Sequence, residues 1–330
     1  MENTVKKSHF KIDKTWIKGH VTEIASYGGL AACVLIFTIL TPMFGSSIWS
    51  AGKLAILVSD VIVLAIASIG AVFIYALGSM DISIGKQIGL YCTLYVLIGN
   101  ATGNLLLGIL ASIGIAIVIG IVNGSAGELF HIVSVVSSLV IQMILSGISS
   151  LIYSNLGTRN ISLTAFKVPI FKNTWFMVGV LVLELLVIFY LFNYTKYGKN
   201  AKAIGANPVA AAQSGINIIR YKIIAYVICG MAIVVASMFK MGYTATASDS
   251  SGTGLEMNIM VALILGGMPL SGGMKSRVSC AVVGSFTFSI LNVGLPILGA
   301  SAATVLLIKA ILFAGIVLIT CRKPKGVLYK

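Results

Sequence analysis

Four acids and one base in apolar surroundings mark where this chain could do chemistry. Asp60, Asp81, Glu184 and Glu256 lie in or beside long apolar runs, and Lys309 lies deep in another. A carboxylate or ammonium in hydrocarbon is costly. Each such group is therefore expected to face protein, water or a helix end, and each is a candidate pathway residue. Covalent chemistry has less support. His9, His20 and His131 are far apart and match no metal-ligand spacing. Cys33, Cys92, Cys229, Cys280 and Cys321 are scattered without a CxxC pair and read as small core residues. No HExxH motif or His/Asp cluster serves a membrane-embedded enzyme. Gly266–Ser276 is glycine-rich, but a phosphate loop needs Lys directly after its closing Gly, and Lys275 comes too late. The chain reads as a non-enzyme with no cofactor and no metal. It cannot hydrolyse ATP alone.

The elements that position these residues are membrane helices. The 330 residues are 58% hydrophobic and only 10% charged, against roughly 25% charged in a soluble domain, so lipid must cover most of the surface. Inside a bilayer each backbone N–H and C=O must bond within the protein, and helices do that within one segment. The apolar runs are too long for barrel strands. The expected fold is therefore all-α: a polytopic transmembrane helical bundle of about ten spans. Their expected positions are 25–43, 54–78, 86–100, 104–123, 131–153, 174–194, 219–240, 257–269, 277–295 and 303–320. The runs 86–100 and 257–269 barely approach the ~20 residues of a full span and read as short or broken helices beside a pathway. The 35 glycines allow close helix approach. The first run lacks a small-x-small cleavage site and reads as an uncleaved span, not a signal peptide.

A net charge of +14 in a soluble protein would suggest nucleic acid. Here the charge sits in blocks between apolar runs, with no aromatic interleaving, so topology explains it and no nucleic-acid partner is expected. Lys6, Lys7, Lys11, Lys14 and Lys18 fill a tail over 1–24. Lys196, Lys199, Lys202, Arg220 and Lys222 fill 195–222. Arg322, Lys323, Lys325 and Lys330 fill 321–330. Ten spans put all three on one side, which the positive-inside rule makes cytoplasmic, with both termini there. Segment 154–173, with Arg159, Lys167 and Lys172, argues the other way and is accepted as the smaller cost. The permease domain is then a single unit over 25–320.

Within 195–222, Asn207 is a good N-cap and Pro208 suits the first helical position. Gly215 can close the helix in the left-handed conformation. The small residues Ala210, Ala211, Ala212 and Ser214 would let a partner approach the backbone. On these grounds alone the segment is either a coupling element or a capped helix resting on the membrane surface. Elsewhere, 77–86 and 265–274 share five of ten positions, as duplication or as chance in a glycine-rich chain.

Several motifs then fall into one order. Tyr197-Gly-Lys, Ala203-Ile-Gly-Ala-Asn-Pro208 and Ser214-Gly-Ile resemble the cytoplasmic loop of ribose-type (monosaccharide) permeases of ABC importers. Gly78-Ser-Met-Asp-Ile-Ser-Ile-Gly85 is similar to that family's Gly-Gly-Ile-Asp-Leu-Ser-Val-Gly signature. Val122-Asn-Gly124, Gly252-Thr-Gly-Leu-Glu256 and Leu265-Gly-Gly-Met-Pro-Leu-Ser-Gly-Gly273 match further pieces. Order and spacing agree from about residue 50 to 320. The chain departs from the pattern at Phe130–Val136, which lacks a proline, and at Ser79 and Pro269.

The resemblance implies a multi-pass inner-membrane (plasma-membrane) subunit that translocates a monosaccharide or similar small polar solute by alternating access. It implies an ABC ATPase subunit, an extracytoplasmic solute-binding protein and a second permease chain as partners, in contact with membrane lipid. It makes Gly205, Asn207, Pro208, Ala211, Ser214 and Gly215 the coupling element. Asp81, Ser83, Asn123, Glu256 and Ser271 become pathway or gate candidates, with helix capping the competing role for Asp81 and Glu256. The alternative is a secondary transporter or channel with no ATPase partner. Its mark would be paired intramembrane charges, and no basic partner for the four acids is evident in the sequence.

Overall fold

The structure is a computed structural model that describes residues 14–45, 47–165 and 168–320. Lys6, Lys7, Lys11, His9, Lys167, Cys321 and the basic residues of the C-terminal tail lie outside the described residues. Helices form where the apolar runs predict them. They are α1 (Lys14–Met43), α2 (Ala51–Ala76), α3 (Ile84–Thr102), α4 (Leu105–Leu129), α5 (Ser134–Leu156) and α6 (Thr174–Tyr194). Two short helices follow, α7 (Lys196–Ala206) and α8 (Pro208–Gln213). The series ends with α9 (Ile218–Thr244), α10 (Leu255–Leu265), α11 (Ser279–Ile297) and α12 (Ala302–Thr320). All ten expected spans coincide with a helix. Among the described residues seven helices are long and apolar enough to cross a membrane.

Three expectations change. The segment 86–100 is not short: α3 has 19 residues, about 28 Å at 1.5 Å per residue. α10 is short, with 11 residues and about 16 Å. α1 begins at Lys14, inside the expected tail. The fold is otherwise all-α, apart from one antiparallel ribbon of β1 (Asn160–Ser162) and β2 (Thr246–Ser248), with Asn160 opposite Ser248.

The core is α2 with α9. Every residue of α2 from Val61 to Ala76 is buried. α9 reaches it where Gly70 meets Ala232 and the Cys229 backbone. On its other side α9 packs antiparallel to α4, with Gly120 on Val227 and Gly124 on Ile223. A side chain at any of these glycines would push two backbones apart, so the helices touch closely enough for dispersion to hold them. α1 lies outside, where the Phe37 ring fills the notch at Gly294 of α11. Large apolar side chains such as Leu183 of α6, Met143 of α5 and Leu306 of α12 face outward. An apolar exterior on this scale belongs in lipid.

The ribbon and the short helices mark opposite ends. β1 precedes α6 and β2 follows α9, whereas α7 and α8 join the far ends of the same two helices. Segment 154–173 therefore lies opposite 195–222, as the ten-span count required despite its basic residues.

The apparent repeat has a structural counterpart in a shifted register. α2 ends with Gly78 at φ 71° and Ser79 N–H donating to Ile74 O at 3.1 Å. α10 ends with Gly267 at φ 90° and Met268 N–H donating to Leu263 O at 2.9 Å. Both are left-handed glycine closures. Gly78 thus corresponds to Gly267, whereas the sequence alignment pairs it with Gly266.

Candidate functional site

Asn207 begins α8 as its sequence predicts. Its side chain accepts from Ala210 N at 3.0 Å, and Pro208 occupies the first helical position. Ser214 closes the helix, its hydroxyl donating to Ala210 O at 2.9 Å, and Gly215 follows at φ 81°. Val209, Ala210, Ala212 and Ser214 face outward. Ala211 does not: it is 5% exposed and belongs to the core cluster. The partner-accessible face is therefore narrower than the run of small residues suggested.

Gly205 also differs from expectation. It sits in α7, which the sequence reading left unresolved, and faces inward. A Cβ there would strike the Ala76 carbonyl oxygen and lie 2.7 Å from Gly273 N. Gly273 N–H itself donates to Ala76 O at 2.9 Å. Gly272 backs onto Gly78, and the Ser271 carbonyl covers Gly78 from outside. Three motifs thus meet in one backbone junction: the Gly205 loop, the α2–α3 turn and the link between α10 and α11. The glycines of 266–273 that raised the question of a phosphate loop are used here and against Cys280 of α11. α7 is further fixed by Lys202, whose Nζ lies 4.2 Å above the Phe192 ring and donates to Asn193 Oδ1 at 3.3 Å. Burial lowers the Lys202 ammonium below its ordinary value.

The turn beyond Gly78 carries a buried polar strip. Asp81 is not the N-cap of α3. It accepts from Ser83 N at 2.8 Å and from the Ser83 hydroxyl, one residue before the helix. Gln87 Nε2 donates to Ser83 Oγ at 2.8 Å, and Tyr91 Oη donates to Gln87 Oε1 at 3.2 Å. Asn123 of α4 accepts from the Ser137 hydroxyl at 2.9 Å, and its Nδ2 is buried without a hydrogen-bond partner. The i, i+4 spacing of Ser83, Gln87 and Tyr91 was the available sequence signal. Asp81 and Ser83 are therefore bonded to each other, whereas Asn123 is bonded to Ser137. Ser271 is not among them: it is exposed, at the junction with Gly78.

Glu256 lies one turn along α3 on another side. It opens α10, accepts from Gly254 N at 3.2 Å and closes over Gly85. Gly252, at φ 87°, would place a Cβ against Gly85 O and 2.8 Å from Gly89 N. The Gly-Thr-Gly-Leu-Glu motif is thus a second glycine junction, wedging the loop before α10 into α3.

Two charges without an assigned partner in the sequence are joined in the structure. Asn292 Nδ2 donates to both Asp60 oxygens at 3.3 Å, and Lys309 Nζ donates to Asn292 Oδ1 at 2.7 Å. Glu184 remains apart, both its oxygens buried without a hydrogen-bond partner. Among the described residues no cluster of three His, Cys, Asp or Glu could hold a metal ion.

A family model described as "Branched-chain amino acid transport system / permease component" matches residues 53–319. The chain belongs to that permease family. Among the relatives it matches is the ribose import permease protein RbsC of Escherichia coli K12, 26% identical over 94% of this chain and 96% of that one. Another is the galactose/methyl galactoside import permease protein MglC of Haemophilus influenzae, 29% identical over 66% of this chain and 71% of that one. The L-arabinose transport system permease protein AraH of E. coli K12 is 25% identical over 97% of this chain and 95% of that one. No solved structure matches. The chain is thus a multi-pass permease component, a transport subunit and not a catalytic one.

Proposed function

We propose that this chain is the membrane-spanning subunit of an ABC importer for a monosaccharide. It works with a separate ATPase, an extracytoplasmic solute-binding protein and a second permease chain, identical or homologous, within membrane lipid. Both termini and 195–222 lie in the cytoplasm. The outward face of α8, between Asn207 and Gly215, docks on the ATPase. Gly205 transmits its displacement inward, and Asp81, Ser83, Asn123 and Glu256 line or gate the path.

One observation carries this reading. The exposed helix α8 continues through α7 into a backbone junction at Gly205, and that junction abuts the turn leading to Asp81. A surface helix that only rested on the membrane would need no such contact with the bundle. The sugar class rests on the relatives, which are named for ribose, galactose and L-arabinose.

The test is co-purification of the tagged chain from its native membrane, with uptake measured in parallel. An ATPase subunit should accompany the wild type and be lost on Val209→Glu or Ala212→Glu, along with uptake. Uptake that persists without an ATPase subunit, driven by an ion gradient, would overturn the reading in favour of a secondary transporter. The bridged Asp60–Asn292–Lys309 set is the observation that makes this comparison worth running.

A further inference from the structure

The segment between β2 and α10 turns back into the bundle. Lys86 Nζ holds the Asp249 carbonyl at 3.3 Å, and Gly252 seats the turn on Gly85 and Gly89. Above this seat, toward the end opposite α8, two cavities adjoin. They share Lys240, Thr244 and Leu255 as walls. The larger, about 300 Å³, is lined by Thr246, Ser248, Ser250, Ser251 and Thr253, with the Ser248 hydroxyl 3.1 Å from those of Ser250 and Ser251. The smaller, about 150 Å³, adds Ser59, Asp60 and Asn258 to a wall that is otherwise mainly apolar, with Ile56, Val63, Leu64 and Phe288. The larger volume falls at the lower end of small-molecule sites.

The walls specify a solute. Hydroxyls both donate and accept, so a dense set of them suits a molecule that does the same. Lys240 makes no ion pair among the described residues and has donors free. Asp60 is oriented by Asn292 and keeps lone pairs free toward the cavity. Lys240 faces both cavities, whereas Asp60 faces the smaller one alone and is linked through Asn292 to Lys309.

We infer that this double cavity is a solute station, with Lys240 donating to and Asp60 accepting from the hydroxyl groups of an uncharged, polyhydroxylated molecule of monosaccharide size. The inference rests on the monosaccharide-permease reading and adds the place and the two charged contacts.

The test uses the complete importer in its native host, with the five native cysteines replaced by Ala or Ser and Ser250→Cys introduced. Uptake of labelled ribose, galactose and arabinose is measured first in the wild-type importer, which decides the permease reading, and then in the Ser250→Cys chain. The introduced thiol is then titrated with an impermeant methanethiosulfonate reagent added outside, with and without the imported sugar. The sugar should slow labelling. Lys240→Met should abolish that protection and lower uptake about tenfold or more, the scale of one lost hydrogen bond to a charged group. Lys240→Gln keeps a donor and should retain most of both. Equal loss in Gln and Met would mean that the charge itself is needed, and would overturn an uncharged solute. Uptake without protection would overturn the station while leaving the permease reading intact. Import of none of the three sugars would overturn that reading, and the station with it.

Discussion

Gly205→Leu is the substitution that most sharply separates docking from transmission. If Gly205 touched the ATPase, a bulky residue there would detach the partner. The structure gives a different expectation, because the glycine faces Ala76 and Gly273 and not the exterior. Inserting a side chain into a closed contact costs about 1–3 kcal/mol. Parting the strands of that contact also breaks the 2.9 Å bond from Gly273 N to Ala76 O, worth about 0.5–1.5 kcal/mol net. The total is about 1.5–4.5 kcal/mol, set against whichever state keeps α7 pressed on α2. At tenfold per 1.4 kcal/mol that is a population shift of roughly tenfold to a thousandfold. The assay is ATPase retention on a tagged chain, run beside sugar uptake and ATP turnover in proteoliposomes of the whole importer. The partner should stay bound and ATP turnover should continue while uptake falls at least tenfold. Loss of the ATPase from a well-inserted Gly205→Leu chain would refute inward transmission, as would uptake that stays fully coupled. Gly205→Ala, with a smaller intrusion, should fall between wild type and Leu.

Other contacts give independent expectations. Gly252→Ala combines a positive φ with a Cβ against Gly85 O, and should lower the unfolding midpoint in detergent by the equivalent of about 2–4 kcal/mol. The Lys222–Glu128 bridge at 2.6 Å joins the end of α4 to the start of α9 and is partly exposed, so a double-mutant cycle to Ala should return about 0.5–1 kcal/mol, weakening in high salt. In the Asp60–Asn292–Lys309 set, Asp60→Leu should destabilise more than the double change Asp60→Leu/Lys309→Met. A coupling of about 0.6–1.7 kcal/mol is expected by thermal unfolding in detergent. Glu184→Gln keeps the shape of a group with no partner to lose, and should leave uptake within about twofold of wild type.

Hydropathy alone put a helix at each of the ten expected positions, because a stretch that sheds its backbone polarity in lipid must be a helix, and seven of these are long and apolar enough to cross a membrane. The bounds of α8 were equally accessible, since capping by Asn207, the fixed φ of Pro208 and the positive φ at Gly215 are local properties. What lay beyond reach was which way residues face. Ala211 and Ala212 are indistinguishable as letters, yet one is buried and the other is open. That difference depends on where α8 lands against the core, through contacts distant in the chain. Asp60 and Asn292 are 232 positions apart, and Asn292 itself attracts no notice in an apolar run. The acids therefore looked unpartnered when one had an amide bridge to Lys309. The ribbon of β1 and β2 is three residues per strand and follows no alternation long enough to read.

With the ATPase docked at α8 as proposed, the motif glycines would carry its displacement to the turn at Asp81 without a chain of side chains. A rotamer can yield under load, absorbing a displacement of an ångström by rotation. Backbone pressed on backbone cannot, because close-packed contacts have no soft degree of freedom to spend. The Gly205 junction joins α7 to the C-terminal end of α2 and to the α10–α11 link, so a push there moves both together. The first leads directly into the turn holding Asp81 and Ser83. The second lies at the far end of α10, an 11-residue rod whose other end is the Gly252 wedge in α3. Both routes end on the first turns of α3. On this account a single substitution at either junction should uncouple the importer, and combined substitutions should cost little more than one, because each breaks the same closed loop of contacts. Additive losses in Gly205→Ala/Gly252→Ala uptake would instead mean two independent lines of transmission.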